Sequence, residues 1–298
     1  MAAGIINVTT HAAFIPEIWA ATTIDAYEAN LVLANLIENW NPLFSGGGDT
    51  AFVPVFTNLA TTDVQDIPDT IQALYSPQSA AASDLELIIN QKKYASVEIS
   101  NALQVFENQD LLAKYAGKLG YVLARYIDSA FAQAAYGYSD HPAVDLTGLT
   151  ALTDTQLKDG LNLAVQYLDE QDVPMEGRAF VFSPALYAKC RGADWFNSAD
   201  FVVGRPIETG LVGDIFGVNV YRTSNLYAPT VSAVTTTHNL LIHKAAMAWA
   251  DPKPITLKHA GTDGRWVHDQ VTAETYYGYL SVPNDGTNNY GIVDIQTS

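Results

Sequence analysis

One helical period running for about thirty residues constrains this chain more than any other feature. Between Asn108 and Gly137, Leu112, Tyr115, Leu119, Val122, Tyr126, Ala130 and Ala134 recur at steps of three and four. Leu111, Leu123, Ile127 and Phe131 widen the stripe. The spacing predicts a single helix over 108–137, with Asn108 as N-cap, Asp110 in the first turn and Gly137 as the stop. At the standard rise this is a rod of about 45 Å, against a usual helix of about 11–12 residues. An apolar stripe of that length must be covered by other elements. Gly117 and Gly120 are expected to mark close packing against one of them, with a mild kink as the alternative.

The rest of the chain reads as shorter pieces around this rod. Residues 1–13 are small and polar without a period, as in an arm. Pro16 and Glu17 open a helical stretch that continues to Trp40. The triple glycine at 46–48 breaks it and reads as a flexible joint. Residues 51–58 read as a strand in which Pro54 argues for an edge or a bulge. A polar connection from Thr61 to Ser83 leads to a second strand region at 85–99, where Leu85, Leu87 and Ile89 alternate. The two form a long two-stranded excursion, which is marginal alone in water and needs a partner surface. After His141 and Pro142 the texture changes. Thr153 caps a helix over 153–171, residues 178–183 form a buried strand, and Pro184 starts a short helix, an α/β alternation. Residues 212–225 read as turn, strand, turn, residues 238–250 as one strand, and 265–282 with 290–296 as a β-rich, aromatic end.

Composition narrows the function classes. Of 298 residues, 48% are hydrophobic, enough for a sizeable core, while only 16% are charged, below the usual quarter. A surface low in charge and rich in Tyr, Asn and Thr suits burial between protein copies, and is equally compatible with a secreted protein. The net charge of −17, without a run of Lys or Arg, argues against a dedicated nucleic-acid binder. Net charge speaks to solubility and non-specific binding, not to fold. Cys190 is the only cysteine and reads as a buried small apolar residue. The N-terminus lacks a charged, apolar leader, and no run approaches the roughly 18 apolar residues of a membrane span, so synthesis in the cytoplasm is expected.

No residues converge on chemistry, and catalytic, cofactor-binding and metal residues are all expected to be none. His238 and His243 are five apart on an expected strand, so they face opposite ways, and His268 beside Asp269 fails for the same reason. His259 has no nearby ligand cluster. The glycines at 46–48 lack the Lys-Ser/Thr of a phosphate loop. Asp169–Glu170 sit at a helix end and read as solvated. Glu86 and Glu98, with Lys92 and Lys93 between them, serve either contacts between subunits or a charged edge against wrong strand pairing.

Three stretches resemble the major capsid proteins of tailed bacteriophages, which share the Hong Kong 97-like fold. The first is FIPEIWA, residues 14–20, with the helix after it. The second is ETGLVGDIFGVNVYRTSNL, residues 208–226, where Gly210, Gly213, Ile215, Gly217, Val218, Val220, Ser224 and Asn225 fit the family pattern. Its glycines allow turns with positive φ before a strand, although a generic hairpin turn is the competing reading. The third is NLLIHKAAMAWA, residues 239–250.

The resemblance implies an α+β phage capsid fold spanning nearly the whole chain. Its parts would be an N-terminal arm and helix (1–50), an extended β-hairpin loop (51–100), a spine helix of a peripheral domain (101–142), an axial α/β domain (143–250) and a β-rich return to the peripheral domain (251–298). It further implies a structural virion protein that self-assembles into hexamers and pentamers of an icosahedral shell around double-stranded DNA, touched without sequence specificity. A portal protein and a possible decoration protein would be partners. A chain beginning at Met1 leads to the expectation of a separate scaffolding protein, or none. Lys92 and Lys93 lie on the loop where some relatives form crosslinks, but no partner Asn or catalytic acid is identified and no crosslink is expected. The alternatives are an encapsulin-like nanocompartment shell, which the polar arm fits poorly, and a soluble α/β enzyme, which would need a deep pocket and convergent acids and histidines.

Overall fold

The computed structural model describes residues 32–56, 82–100, 111–148, 151–193, 215–231, 234–260, 268–284 and 288–298. In chain order these residues form α1 (Leu33–Leu36), β1 (Glu38–Asn39), β2 (Thr50–Phe56), β3 (Ala82–Ile88), β4 (Gln91–Ser100) and α2 (Leu111–Tyr138). Next come β5 (Val144–Leu146), α3 (Asp154–Glu170), β6 (Arg178–Phe182), α4 (Pro184–Gly192) and β7 (Asn219–Arg222). The chain ends with β8 (Thr230–Val231), β9 (Val234–Thr235), β10 (Thr237–His243), β11 (Met247–Ala260), β12 (His268–Ser281) and β13 (Ile292–Thr297).

Two main sheets share the long helix. The five-stranded sheet has the order β5-β13-β10-β6-β7, and the four-stranded sheet β1-β11-β12-β4. β10 alternates Leu240 and Ile242 toward α2 with Leu241 toward α3 and α4, and β6 alternates Ala179 and Val181 with Phe180 and Phe182 in the same way. With helices on both faces, β6 is buried at every residue, as the apolar run Ala179–Phe182 requires, and Arg178 at its start is buried too. α2 also lies on the four-stranded sheet. There the Phe131 ring packs on Trp249 at 5.4 Å, Tyr279 at 5.9 Å and Tyr277 at 6.1 Å. Leu123, Ile127 and Phe131 of its apolar stripe are buried, whereas Val122 and Tyr126, expected in the same stripe, are exposed.

Local signals fix the α/β half. Thr153 accepts from the Gln156 backbone N–H while the Gln156 side chain accepts from the Thr153 N–H, a complete capping box for α3. Ser183 caps α4 by accepting from the Leu186 N–H, with Pro184 at its first position. Ahead of β7, Phe216 at φ 53° and Gly217 at φ 77° form a tight turn closed by the Ile215–Val218 pair.

Several expectations are corrected. The helix expected to reach Trp40 ends, in its described part, at Leu36. Ile37 is extended, and β1 pairs in parallel with Ala248 and Trp249. The strand region 85–99 is two strands joined at Ile89–Asn90: β3 pairs with β2, whereas β4 pairs with β12. The strand 238–250 is also two, since the 3-10 turn Lys244–Ala246 moves the chain from the five-stranded sheet to the four-stranded one. β13 lies inside the five-stranded sheet, between β5 and β10. A Cβ at Gly120 would meet nothing within 4 Å, so that glycine marks no close approach. The long helix runs one residue past Gly137. Pro54 stands in β2, whose one partner among the described residues is β3, as an edge proline should. The arm at 1–13, the helix start at Pro16, the connection from Thr61 to Ala81, Asn108, Asp110, Gly210 and Gly213 fall outside the described residues.

Candidate functional site

Each described histidine side chain is engaged by its own fold. On β10, His238 places Nδ1 at 3.0 and 2.9 Å from the two carboxylate oxygens of Asp294 on β13. Both residues are buried, and Gln296 donates to the same carboxylate at 3.0 Å. The Tyr136 ring lies 4.1 Å and the Tyr227 ring 5.5 Å from the imidazole. His243, five residues on, faces the opposite way as expected. Its Nε2 meets the Glu176 carbonyl at 2.9 Å and its Nδ1 accepts from the Ala245 N–H at 3.3 Å. That pattern fixes a neutral ring with both nitrogens used, and desolvation lowers its pKa. His141 contacts the Tyr290 carbonyl at 2.9 Å, and desolvation lowers its pKa as well. His259 and His268 lie on β11 and β12, paired in register with Val271 and Ser100.

Cys190 and several polar groups around one cleft are likewise held within the fold. Burial pushes the Cys190 thiol up to about 12, far from a nucleophilic thiolate. An open cleft of about 560 Å³ lies between the turn after α3 and the β10–β11 corner, bordered by Glu170, Asp172, His243 and Asn289. Glu170 accepts from Gln166 at 2.7 Å, and Asn289 donates to the Ala246 carbonyl at 2.6 Å. Asp169 meets the buried Arg178 at 2.7 Å, so it is not simply solvated as its sequence position suggested. Among the described residues, no group of three His, Cys, Asp or Glu is placed to hold a metal ion. No described helix is long and apolar enough to cross a membrane.

Exposed apolar residues are spread over the surface, Met175, Tyr221 and Val234 among them, and several lie on the four-stranded side. Phe52 on the β2–β3 ribbon is 64% exposed and Tyr94 on β4 is 69% exposed. Val122 and Tyr126 on α2 are exposed as well. Among the described residues, β4 is the edge of its sheet, the position most open to pairing with another chain. The lysines there hold positions within the subunit. Lys92 sits 3.6 Å from Glu274 and 5.0 Å from the Tyr276 ring, and Lys93 lies 4.9 Å from the Tyr126 ring. Sequence reading found the sign pattern around these lysines but not their partners, which lie on β12 and α2. It also missed the His238–Asp294 pair, because the β10–β13 register alone brings these residues together.

No family model and no curated protein matches the chain. Solved structures do match over almost its whole length. A structure from Mycobacterium phage Che8 aligns with a TM-score of 0.73 at 21% identity, covering 95% of this chain and 97% of that one. The capsid structure of cyanophage P-SCSP1u gives 0.72 at 17% identity, covering 96% and 94%. The mature capsid of bacteriophage PhiM1 gives 0.71 at 13% identity, covering 95% and 92%. The chain therefore has a phage capsid fold, the fold implied by the resemblance at 208–226 and 239–250. The alignment takes in nearly all of both chains, so the likeness extends over the two sheets and the long helix together.

Proposed function

We propose that this chain is the major capsid protein of a tailed bacteriophage, a virion component that builds the head shell around double-stranded DNA. The observation that carries this reading is the alignment of nearly the entire chain with phage capsid structures at TM-scores up to 0.73. Its role is structural rather than catalytic: copies of the chain associate as hexamers and pentamers and close into an icosahedral shell. The acidic balance of −17 keeps packaged DNA from adhering to the wall. A separate scaffolding protein, a portal protein and a decoration protein are its further partners.

Within the subunit, we assign the axial part to the five-stranded sheet with α3 and α4, and the peripheral part to α2 with the four-stranded sheet. This moves β4 into the peripheral part and β13 into the axial part. The β2–β3 ribbon is the extended loop.

The test is expression of the full chain, alone and with its neighbouring phage genes, followed by sedimentation and electron microscopy. Closed icosahedral particles containing this chain support the proposal. A compact monomer at all concentrations in both settings overturns it. Particles filled with a co-encoded enzyme rather than DNA would identify a nanocompartment shell instead.

A further inference from the structure

Asp128 is fully buried on α2, a costly place for a carboxylate unless its oxygens are met. Its Oδ1 accepts from the backbone N–H of Leu33 at 2.7 Å and of Ala34 at 3.3 Å. These are the first two amides of α1, and the residue before them, Val32, provides no side-chain cap. The cap comes instead from a carboxylate 95 residues away in sequence. The other oxygen, Oδ2, accepts from Asn225 Nδ2 at 3.2 Å. Asn225 Oδ1 in turn accepts from Arg125 Nε at 3.1 Å. The Asn225 backbone N–H donates to Thr223 Oγ1 at 3.1 Å.

The direction of this relay is fixed by what each group can do. An arginine only donates. Asn225 must therefore turn its oxygen to Arg125 and its amide to Asp128. Position 128 must then accept on both atoms. The three elements joined belong to different parts of the molecule. α1 leads into β1 of the four-stranded sheet, the Thr223–Asn225 turn leaves β7 at the edge of the five-stranded sheet, and α2 lies on both.

We propose that Arg125, Asn225 and Asp128 form a latch that fixes α1 and the turn after β7 to the long helix as one unit. Closed, it sets the position at which the chain enters the body and ties the two sheets to a common frame. Opened, it frees α1 and the 223–226 turn together. The latch is a property of the subunit and stands whether or not the shell reading does.

Reciprocal exchange of the two side chains tests it. Asp128→Asn alone sets an amide against the Asn225 amide, and Asn225→Asp alone sets two buried carboxylates face to face. The double variant D128N/N225D rebuilds each bond: the amide at 128 accepts from Leu33 and Ala34 and donates to the carboxylate at 225, which accepts from Arg125. The readout is hydrogen exchange of the peptides carrying residues 33–36 and 223–226 in the purified full chain. Each single variant is expected to speed exchange in both peptides by about ten- to a hundredfold, the scale of a hydrogen bond to a charged group. The double variant is expected to return both to within a few-fold of the parent. Where a single variant fails to fold, recovery of the folded double variant is the same result. A double variant no better than the singles, or two peptides that respond independently, would overturn the latch.

Discussion

Thr275 on β12 is fully buried, and its hydroxyl has no hydrogen-bond partner among the described residues. A buried hydroxyl without a partner carries its whole desolvation cost. Thr275→Val keeps the β-branched shape that suits a strand and removes the oxygen. It is expected to raise stability by roughly 1–2 kcal/mol, read as a higher urea midpoint at unchanged slope; a lower midpoint would show that the hydroxyl is satisfied after all. The histidines set a pH dependence with a definite sign. Desolvation lowers both His141 and His243 from the ordinary 6.5. Above 6.5 the folded and unfolded chains are both neutral at these rings, and their contribution is fully present. As pH falls below 6.5 the unfolded chain takes up protons first, so stability declines until the lower folded values are passed. Urea midpoints should therefore fall as the pH drops below 6.5, and H141Q/H243Q should flatten that slope. An equal slope in the double variant would assign the effect to other groups.

The ribbon packs on the four-stranded sheet through Ala51 and Leu87 against Ala250, and its backbone also crosses Gly278. A Cβ on Gly278 of β12 would lie 2.2 Å from the Ile88 carbonyl oxygen, so the backbone of β3 sits directly over it. Gly278→Ala must push the end of β3 away, and faster hydrogen exchange across β2 and β3 with little change in α3 is the expected result. Equal protection in the parent and the variant would mean that the ribbon yields without cost. Neither this crossing nor the two strand breaks was legible in the sequence, whereas α3, α4 and β6 were. The Thr153–Gln156 box and the Ser183–Pro184 start are local chemistry, complete within four residues. By contrast, an apolar run such as NLLIHKAAMAWA carries no mark of where one sheet ends and the next begins. The change is made by His243, whose ring accepts from Ala245, and by the Lys244 N–H donating to the Gly177 carbonyl 67 residues earlier. The same limit hid the buried polar contacts. His238 with Asp294, and Asp128 with Asn225, are joined by register and helix packing across 56 and 97 residues, which no spacing rule reaches.

For the whole molecule, the question is which surface carries association between copies. The fold buries its cores on both sides of the five-stranded sheet, yet leaves Phe52 64% exposed on a ribbon of two strands. Such a ribbon gains little from its own pairing; its Ala51–Leu87 face is buried on its own sheet, and the exposed Phe52 ring on the other face is available to a surface it covers in the assembly. Phe52 stands opposite Glu86 in the β2–β3 register. Phe52→Lys therefore places opposite charges across the ribbon, a pairing worth roughly 0.2–1 kcal/mol within the subunit. It also removes the ring and adds a charge that any docked neighbour would have to desolvate. The variant should keep the melting behaviour of the unassembled subunit while losing closed particles in sedimentation and electron microscopy. Particles formed at parental yield would mean that the ribbon face is not an interface, and would move the search to Tyr94 on the β4 edge and to Val122 and Tyr126 on α2.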